Sequence, residues 1–290
     1  MAHTLYAAVL GSPIAHSKSP DMHRALYRHL GVAIQYDRVE VTQAQADTYM
    51  HALPKRYGST TRLAGFSVTM PLKSVLIPHM HEVSERVQRL GVLNTVVFDD
   101  AGQPRGYNTD VDGVRGALAH AGFEPADGGT MAILGAGGTA TAAVGAAADM
   151  GLDAVALYVR NTQRAEETRA VARRFGLSVE VYSLDEFAQH APDYQAVVAT
   201  LPAHAADHLA AQLPQTQLPP LLDVIYDPWP TAFAAAWQAT GSTVASGLDM
   251  LLYQGVEQAK LFTQKVADAG EIDWQDAARH MAGALGLTKH

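Results

Sequence analysis

The chain has 290 residues, which is enough for two domains, and its 48% hydrophobic and 17% charged residues are typical of a folded protein rather than a disordered one. Its formal net charge of −8 argues against a protein that binds nucleic acid over its whole surface. Because the sequence contains no cysteine, disulfides, thiolate catalysis and cysteine-ligated metal sites are excluded.

The first third of the chain alternates apolar strands with helical segments. An apolar run at 6–10 predicts a buried strand, and Ser19-Pro20-Asp21 predicts the start of a helix capped by the Ser19 hydroxyl. Gly31 predicts the end of that helix. Further strands are predicted at 36–41, 65–69 and 92–98. This alternation indicates a mostly parallel α/β sheet.

The chain from residue 110 onward repeats a strand–helix alternation that is typical of doubly wound, Rossmann-type folds. Strands are predicted at 131–134, 154–159, 178–181, 196–200 and 221–226, and helices at 112–121, 139–150, 164–175 and 247–263. The fold class is therefore predicted as α/β. Residues 1–109 with 246–290 are predicted to form a substrate-binding and catalytic domain, and residues 110–245 a dinucleotide-binding domain.

One segment requires a test for membrane insertion. Residues 128–148 carry no charged side chain over about the length of a membrane span. Small and polar residues cluster in the middle of the segment, which favours a strand, a turn and a helix instead. No signal peptide is predicted, because the apolar run near the N-terminus is short and lacks a basic lead. A cytoplasmic protein without a membrane partner is expected.

A glycine-rich turn follows the strand predicted at 131–134. Gly135, Gly137 and Ala140 fit the G-x-G-x-x-G/A fingerprint, and the strand before it and the helix after it strengthen the match. The backbone of this turn is predicted to bind a dinucleotide pyrophosphate at the helix N-terminus. The predicted contacts are Gly135, Ala136, Gly137, Gly138, Thr139 and Ala140. The alternative is a tight strand–helix turn without a ligand.

The strand predicted at 154–159 indicates which nucleotide is bound. It ends without the carboxylate that NAD sites use to bind the ribose hydroxyls. Arg160 instead offers a guanidinium for a 2′-phosphate, with Asn161 beside it and Arg164 as a second cation. NADP(H) is therefore favoured over NAD. The alternative, that both arginines are solvated charges at a helix start, fits Arg164 better than Arg160.

Two further segments carry polar groups that suit a small hydroxy acid. Residues 67–73 end at Lys73, and residues 108–110 end at Asp110, so together they offer an ammonium and a carboxylate for proton exchange. Ser17 and Ser19, near a predicted helix N-terminus, form a plausible carboxylate cradle. The alternatives are a solvated lysine, a turn at 108–110 and a simple capping role for Ser19.

These segments, taken in order, resemble shikimate dehydrogenases. The resemblance rests on 11–20, 67–73, 93–95, 106–110, the glycine turn and 247–254, and it extends over about residues 5–265. It implies the reversible reduction of 3-dehydroshikimate to shikimate with NADPH. That oxidoreductase reaction belongs to chorismate and aromatic amino acid biosynthesis.

The resemblance also implies a role for individual residues. Lys73 and Asp110 are implied as the catalytic acid–base pair. Ser17 and Ser19 are implied to bind the substrate carboxylate. The residues implied to bind the ring hydroxyls are Thr69, Asn94, Asp110 and Gln254. Those implied at the nicotinamide are Thr200, Ile225 and Gly247, with Tyr226 closing the substrate side.

Three positions depart from the usual pattern of the family. Ser67 stands where an asparagine is usual, and its shorter side chain predicts a weaker or water-mediated substrate contact. Val159 replaces the asparagine of an Asn-Arg-Thr motif, although the arginine is kept. The loop at 201–203 reads Leu-Pro-Ala rather than the usual motif. The first and third departures resemble a subgroup of the same enzymes.

Two alternatives to this reaction stay open. One is a quinate/shikimate dehydrogenase with a broader substrate range or NAD use, and the other is a catalytically silent NADP-binding sensor. The 13 histidines include no pair in a known ligand pattern, so no metal site is predicted. The expected partners are a small-molecule substrate and no nucleic acid, in a monomer or homodimer.

Overall fold

The computed structural model describes residues 4–59, 62–124, 127–266 and 271–287. It divides into two compact units, Met1–Thr109 with Gln254–His290, and Asp110–Tyr253. The second boundary falls inside a helix, rather than at residue 246 as the sequence suggested. Each unit contains its own six-stranded sheet.

The first unit alternates strands and short helices. Its strands are β1 Leu5–Gly11, β2 Ile34–Glu40, β3 Leu63–Val68, β4 Glu82–Val83, β5 Thr95–Phe98 and β6 Pro104–Tyr107. Its helices up to residue 109 are α1 Ser19–Leu30, α2 Ala46–His51, α3 Leu53–Tyr57 and α4 Glu85–Leu90. Short 3-10 turns lie at Gln43–Gln45 and Ile77–His79.

The first sheet has the order β2-β1-β3-β5-β6-β4. Strand β1 pairs in parallel with both β2 and β3, whereas β5 runs antiparallel to β3 and β6. The carboxyl ends of β1 and β3 therefore meet at one edge, where the Ser12 N–H donates to the Met70 carbonyl at 3.0 Å. The loops after these two strands carry Ser17, Thr69 and Lys73 of the predicted site.

The second unit contains a longer strand–helix series. Its strands are β7 Thr130–Leu134, β8 Ala154–Val159, β9 Ser178–Ser183, β10 Ala196–Ala199, β11 Leu221–Asp223 and β12 Val244–Ser246. Its helices are α5 Asp110–His120, α6 Gly138–Asp149, α7 Glu166–Arg174, α8 Phe187–His190, α9 Asp207–Ala210 and α10 Ala232–Ala239. The 3-10 turns are Thr162–Ala165, Leu184–Glu186 and Ala191–Asp193. Helix α11 spans Gly247–Thr263, and α12, Trp274–Ala284, belongs to the first unit.

The second sheet is parallel throughout and has the order β12-β11-β10-β7-β8-β9. Counted from β7, this is the 3-2-1-4-5-6 order of doubly wound dinucleotide-binding folds. The predicted α/β class and Rossmann-type second half are confirmed. In such sheets, ligands bind beyond the carboxyl ends of the strands, where the strand order reverses, which here is the end of β7.

The uncharged segment 128–148 contains β7, a turn and the first part of α6, as predicted. Each element is much shorter than a bilayer is thick. Within the described residues, none of the helices combines the length and apolarity that a membrane crossing would need.

The start of α1 differs from the prediction. Lys18 is the N-cap residue, without a capping side chain, and Ser19 is already the first helical residue. The predicted capping role of the Ser19 hydroxyl is therefore wrong, because Ser19 lies one position inside the helix and its side chain is buried. Gly31 ends the helix in the left-handed conformation, as predicted.

Candidate active site

The glycine turn lies directly after β7, the strand at which the order of the second sheet reverses. Gly135 has φ +114°, and a Cβ added there would lie 2.4 Å from the Thr200 Oγ1, so the turn requires glycine. Gly137 is the N-cap of α6, and a Cβ added there meets nothing within 4 Å. The turn thus leaves open space beside the N–H groups that begin α6, as a bound phosphate needs.

Neighbouring side chains hold the glycine turn in place. The Thr168 hydroxyl donates to the Ala136 carbonyl at 3.2 Å, and the Thr141 hydroxyl donates to the Gly138 carbonyl at 2.7 Å. Thr139 is half-buried, and Ala140 is fully buried, so the small third residue of the fingerprint packs α6 on the sheet. These contacts restrain the backbone conformation of the turn.

Arg160 and Asn161 follow β8, the neighbour of β7, and both are exposed. The Asn161 Oδ1 accepts a hydrogen bond from the Gln163 N–H at 2.9 Å, which makes Asn161 the cap of the 3-10 turn Thr162–Ala165. The side chain of Arg164 lies outside the described residues. The exposed Arg160 guanidinium is free of a capping task and lies at the strand end where the adenosine ribose is bound in such folds.

The other predicted cofactor residues follow the remaining strands on the β10 side. Thr200 follows β10, and its N–H and hydroxyl donate to the Leu134 carbonyl at 2.8 and 2.9 Å. Ile225 lies shortly after β11, and its carbonyl accepts from the N–H of Gly247, which follows β12, at 3.2 Å. The structure therefore brings the glycine turn, Arg160 and these three residues to one edge of the second sheet.

Glycine is required at position 247, since an added Cβ would lie 2.1 Å from the Val224 carbonyl oxygen. Tyr226 lies two residues after Val224, and its Cδ1 would lie 3.1 Å from a Cβ added at position 247. Burial raises the pKa of the half-buried Tyr226, so its phenol stays protonated.

In the first unit, Asn94 and Gln254 are neighbours although 160 residues separate them. The Asn94 Nδ2 donates to the Gln254 Oε1 at 3.3 Å and to the Thr109 hydroxyl at 3.0 Å. The Asn94 Oδ1 accepts from the Thr109 N–H and from the Thr95 hydroxyl, both at 2.8 Å. Two residues predicted to bind ring hydroxyls thus share one buried polar cluster.

Lys73 lies in the loop after β3, half-buried, and its carbonyl accepts from the Leu93 N–H at 2.8 Å. A turn closed by the Leu72 N–H on the Thr69 carbonyl at 2.9 Å precedes it. Asp110 begins α5 and the second unit, and it is only 5% exposed. An acid in the first turn is favoured there by the helix dipole.

Of the two predicted carboxylate-binding serines, Ser17 lies in the loop after β1 and Ser19 is the buried first residue of α1. The Ser17 carbonyl accepts two hydrogen bonds from the Arg38 guanidinium, at 3.0 and 2.7 Å, which anchor the loop to β2. The Ser17 hydroxyl accepts from the Ser19 N–H at 3.4 Å. Thr69 approaches the same loop, because a Cβ on Gly11 would lie 2.5 Å from the Thr69 Cγ2.

Ser67, near the end of β3, is 4% exposed and is hydrogen-bonded to other residues of the chain. Its hydroxyl donates to the Gln258 Oε1 at 2.7 Å and lies 2.6 Å from the Tyr36 hydroxyl. The water-mediated or weakened substrate contact predicted for Ser67 is not tested by these contacts. Sequence reasoning missed Gln258, although it lies four residues after Gln254 on the same helical face.

His23 is a histidine that packs beside Tyr36 and Gln258. It is fully buried, and its ring stacks on that of Tyr36 with 4.4 Å between the ring centroids. One ring nitrogen, Nδ1, lies 3.0 Å from the Tyr27 hydroxyl, and the other, Nε2, lies 3.4 Å from the Gln258 Oε1. Because a carbonyl oxygen only accepts, the Nε2 carries the hydrogen and the Nδ1 accepts from Tyr27. Burial lowers the pKa of His23 to about 3, so the ring is neutral.

A measurable acid sensitivity follows from His23. As the pH falls, His23 becomes protonated in the unfolded chain before it does in the folded protein. The contribution of the neutral ring to stability is therefore present above about pH 6.5 and is lost progressively towards pH 3. Between about pH 7 and pH 5, wild-type protein should lose about 2 kcal/mol more unfolding free energy than a His23→Gln variant. Urea unfolding at the two pH values measures this difference.

The control for that experiment is His51→Gln, which removes an exposed histidine. Its unfolding free energy should fall between the two pH values as that of the wild type does. Equal losses in the wild type and in His23→Gln would contradict a neutral buried ring.

Among the described residues, two clusters consist of histidine and aspartate side chains, which are types that can bind a metal cation. They are His29 with Asp276 and His280, and Asp47 with His51 and His79. In the first group the His29 Nε2 already pairs with the Asp276 carboxylate at 2.8 Å, which joins α1 to α12. Neither group includes a residue of the predicted substrate or cofactor sites.

Comparisons with known proteins indicate which family this chain belongs to. A profile of the shikimate dehydrogenase substrate binding domain matches residues 9–96. The shikimate dehydrogenase (NADP(+)) of Natronomonas pharaonis is 34% identical over 268 residues, covering 89% of this chain and 93% of that protein.

Solved structures are similar over almost the whole chain. The shikimate 5-dehydrogenase of Mycobacterium fortuitum is 37% identical with a TM-score of 0.83, covering 97% of this chain and 98% of that one. The Thermus thermophilus enzyme in complex with NADP(H) and shikimate is 30% identical with a TM-score of 0.76, covering 96% and 99%.

Proposed function

The chain belongs to the shikimate dehydrogenase family, and on that basis we propose that it oxidises shikimate reversibly to 3-dehydroshikimate with NADP+. The observation that carries the proposal is that residues suited to binding the cofactor and residues suited to proton transfer occur on one chain. A glycine turn with Arg160 lies at the carboxyl edge of the second sheet, and the Lys73 loop lies at the carboxyl edge of the first. Retention of both argues against a silent nucleotide sensor.

The first unit is proposed to supply most of the substrate contacts. Ser17 and Ser19 would bind the carboxylate, because hydroxyl and N–H donors near the start of α1 suit an anion. Around the ring, the proposed contacts are Ser67, Thr69, Asn94, Gln254 and Tyr226. The neutral polar character of these groups matches a substrate that carries several hydroxyls.

Bound NADP(H) would supply the hydride that adds to the substrate carbonyl carbon, or accept it in the reverse direction. The residues that fit the cofactor are the glycine turn for the pyrophosphate, Arg160 for the 2′-phosphate, and Thr200, Ile225 and Gly247 for the nicotinamide. The collision of any Cβ at Gly135 and the open space at Gly137 support the first assignment.

Lys73 is proposed to move the proton. As an ammonium it donates a hydrogen bond to the carbonyl oxygen, stabilises the charge that develops there and delivers its proton. As an amine it takes the hydroxyl proton in the oxidation direction. Asp110 is proposed as its partner, since a carboxylate can accept hydrogen bonds both from an ammonium group and from a ring hydroxyl.

A spectrophotometric assay tests the proposed function. Purified protein with shikimate should raise the absorbance of reduced nicotinamide, and it should do so far faster with NADP+ than with NAD+. A comparable rate with quinate would favour the broader quinate/shikimate alternative. Absence of reaction with both acids and both cofactors would leave the silent sensor as the better explanation.

The setting of the reaction is proposed from the same family membership. The enzyme would act in the cytoplasm, in the pathway that leads to chorismate and the aromatic amino acids. We propose a monomer or homodimer, which light scattering on the purified protein would decide.

A further inference from the structure

The phenol hydroxyl of Tyr36 lies beside Ser67, which is proposed to contact the substrate. Tyr36, on β2, is fully buried, and its Oη lies 2.6 Å from the Ser67 Oγ. A buried phenol is therefore in direct contact with the proposed ring-hydroxyl end of the substrate site.

The direction of the hydrogen bonds around Ser67 is fixed by Gln258. The Gln258 Nε2 donates to the Asn94 carbonyl and to the Thr95 hydroxyl, both at 3.0 Å, and an amide nitrogen can only donate. The Oε1 of Gln258 therefore faces Ser67, and because it can only accept, the Ser67 hydroxyl gives its hydrogen to Gln258.

Tyr36 must then donate to Ser67, because the single hydrogen of Ser67 is already committed. The Ser67 oxygen accepts from Tyr36 and keeps one lone pair, so it can accept a hydrogen bond from a substrate hydroxyl but cannot donate one. The hydrogen bonds thus run in one direction, from Tyr36 through Ser67 to Gln258.

We propose that Tyr36 is a positioning residue for the substrate, which holds the hydroxyl of Ser67 in place and makes Ser67 a contact that only accepts. This inference rests on the proposed function. An asparagine at position 67 would bring its own N–H donors, whereas a serine depends on a neighbour to fix its hydroxyl. Burial raises the pKa of Tyr36, so its donor hydrogen is retained in neutral and mildly alkaline solution.

The variant Tyr36→Phe tests this role, since it removes one oxygen and keeps the ring that stacks on His23. Ser67 loses a buried hydrogen-bond partner, and the cost of such a loss corresponds to roughly a tenfold change in an affinity. We expect the KM for shikimate to rise about 10-fold, with kcat and the KM for NADP+ close to their wild-type values.

The matched control is Tyr27→Phe. Tyr27 is also a buried phenol beside His23, with its hydroxyl 3.0 Å from the Nδ1 of that ring, on the side away from the bond to Gln258. Its loss should lower the melting temperature about as much as Tyr36→Phe does, while the KM for shikimate stays unchanged. A wild-type KM in Tyr36→Phe, or an equal rise in both variants, would overturn the proposal.

A double-mutant cycle separates positioning from general destabilisation. If Tyr36 acts through Ser67, the increase in KM caused by Tyr36→Phe should be smaller in a Ser67→Ala background than in the wild type. Full additivity of the two changes would overturn the assignment. A wild-type protein that oxidises no shikimate would instead contradict the proposed function, and this inference would fall with it.

Discussion

Replacing Lys73 by alanine is expected to lower the turnover number for shikimate oxidation at least ~100-fold, the low end of the range for acid–base catalysis. The other side chains proposed to hydrogen-bond the substrate would still be present, so the KM for shikimate should stay close to the wild-type value. A loss confined to turnover is the signature of an interaction made in the transition state. Steady-state kinetics of purified variants, with folding checked by melting temperature, measures the effect.

Two controls sharpen this experiment. Lys55→Ala removes an exposed lysine on α3 in the same unit and should leave both constants unchanged. Lys73→Arg keeps the positive charge, but a guanidinium does not release its proton in proteins, so this variant should also be slow. Near-normal turnover in Lys73→Ala would remove this residue from the mechanism.

Replacing Arg160 by glutamine is expected to raise the KM for NADP+ by about 10-fold to 100-fold and to leave the KM for NAD+ nearly unchanged. The expected size is that of one or two lost hydrogen bonds to a charged phosphate, each about 1.5–3 kcal/mol. Parallel kinetics with the two cofactors at saturating shikimate give the two KM values.

The control for Arg160 is Arg173→Gln, on α7 of the same unit. Arg173 is an exposed arginine paired with Glu166 at 3.4 Å, and it is not among the proposed cofactor contacts. Its replacement should leave both KM values unchanged. If Arg160→Gln raised the KM for NADP+ and the KM for NAD+ equally, Arg160 would not be the residue that binds the 2′-phosphate.

The second unit was predictable because its signals are local. The strand at Ala154–Val159 and the helix at Gly247–Thr263 agree with the prediction at both ends. The glycine turn was predicted because an apolar strand, two glycines and a small residue follow one another within a few positions. Parallel strands joined by helices leave few possible sheet orders.

The first sheet was less predictable because strand direction depends on connections rather than on composition. The strand predicted at 92–98 forms only as β5, Thr95–Phe98, and it runs antiparallel to β3. The two-residue strand β4 and the short strand β6 were not predicted, since neither shows an apolar alternation.

The candidate site was predicted where one residue type carries the chemistry and missed where distant residues cooperate. Ser19 was interpreted as a helix cap because Ser-Pro-Asp suggests one locally, but the N-cap is Lys18 and Ser19 is already helical and buried. The partners of Ser67 lie 31 and 191 residues away in sequence, at Tyr36 and Gln258. No local pattern indicates such hydrogen bonds, which form only when the fold brings the chain segments together.

A crystal structure with shikimate and NADP+ bound would test the proposed catalytic role most directly. We predict that the Lys73 Nζ lies about 3 Å from the oxygen on the carbon that is oxidised, within hydrogen-bonding distance for proton transfer. A Lys73 side chain that extends into solvent, with another residue at that oxygen, would contradict the proposal.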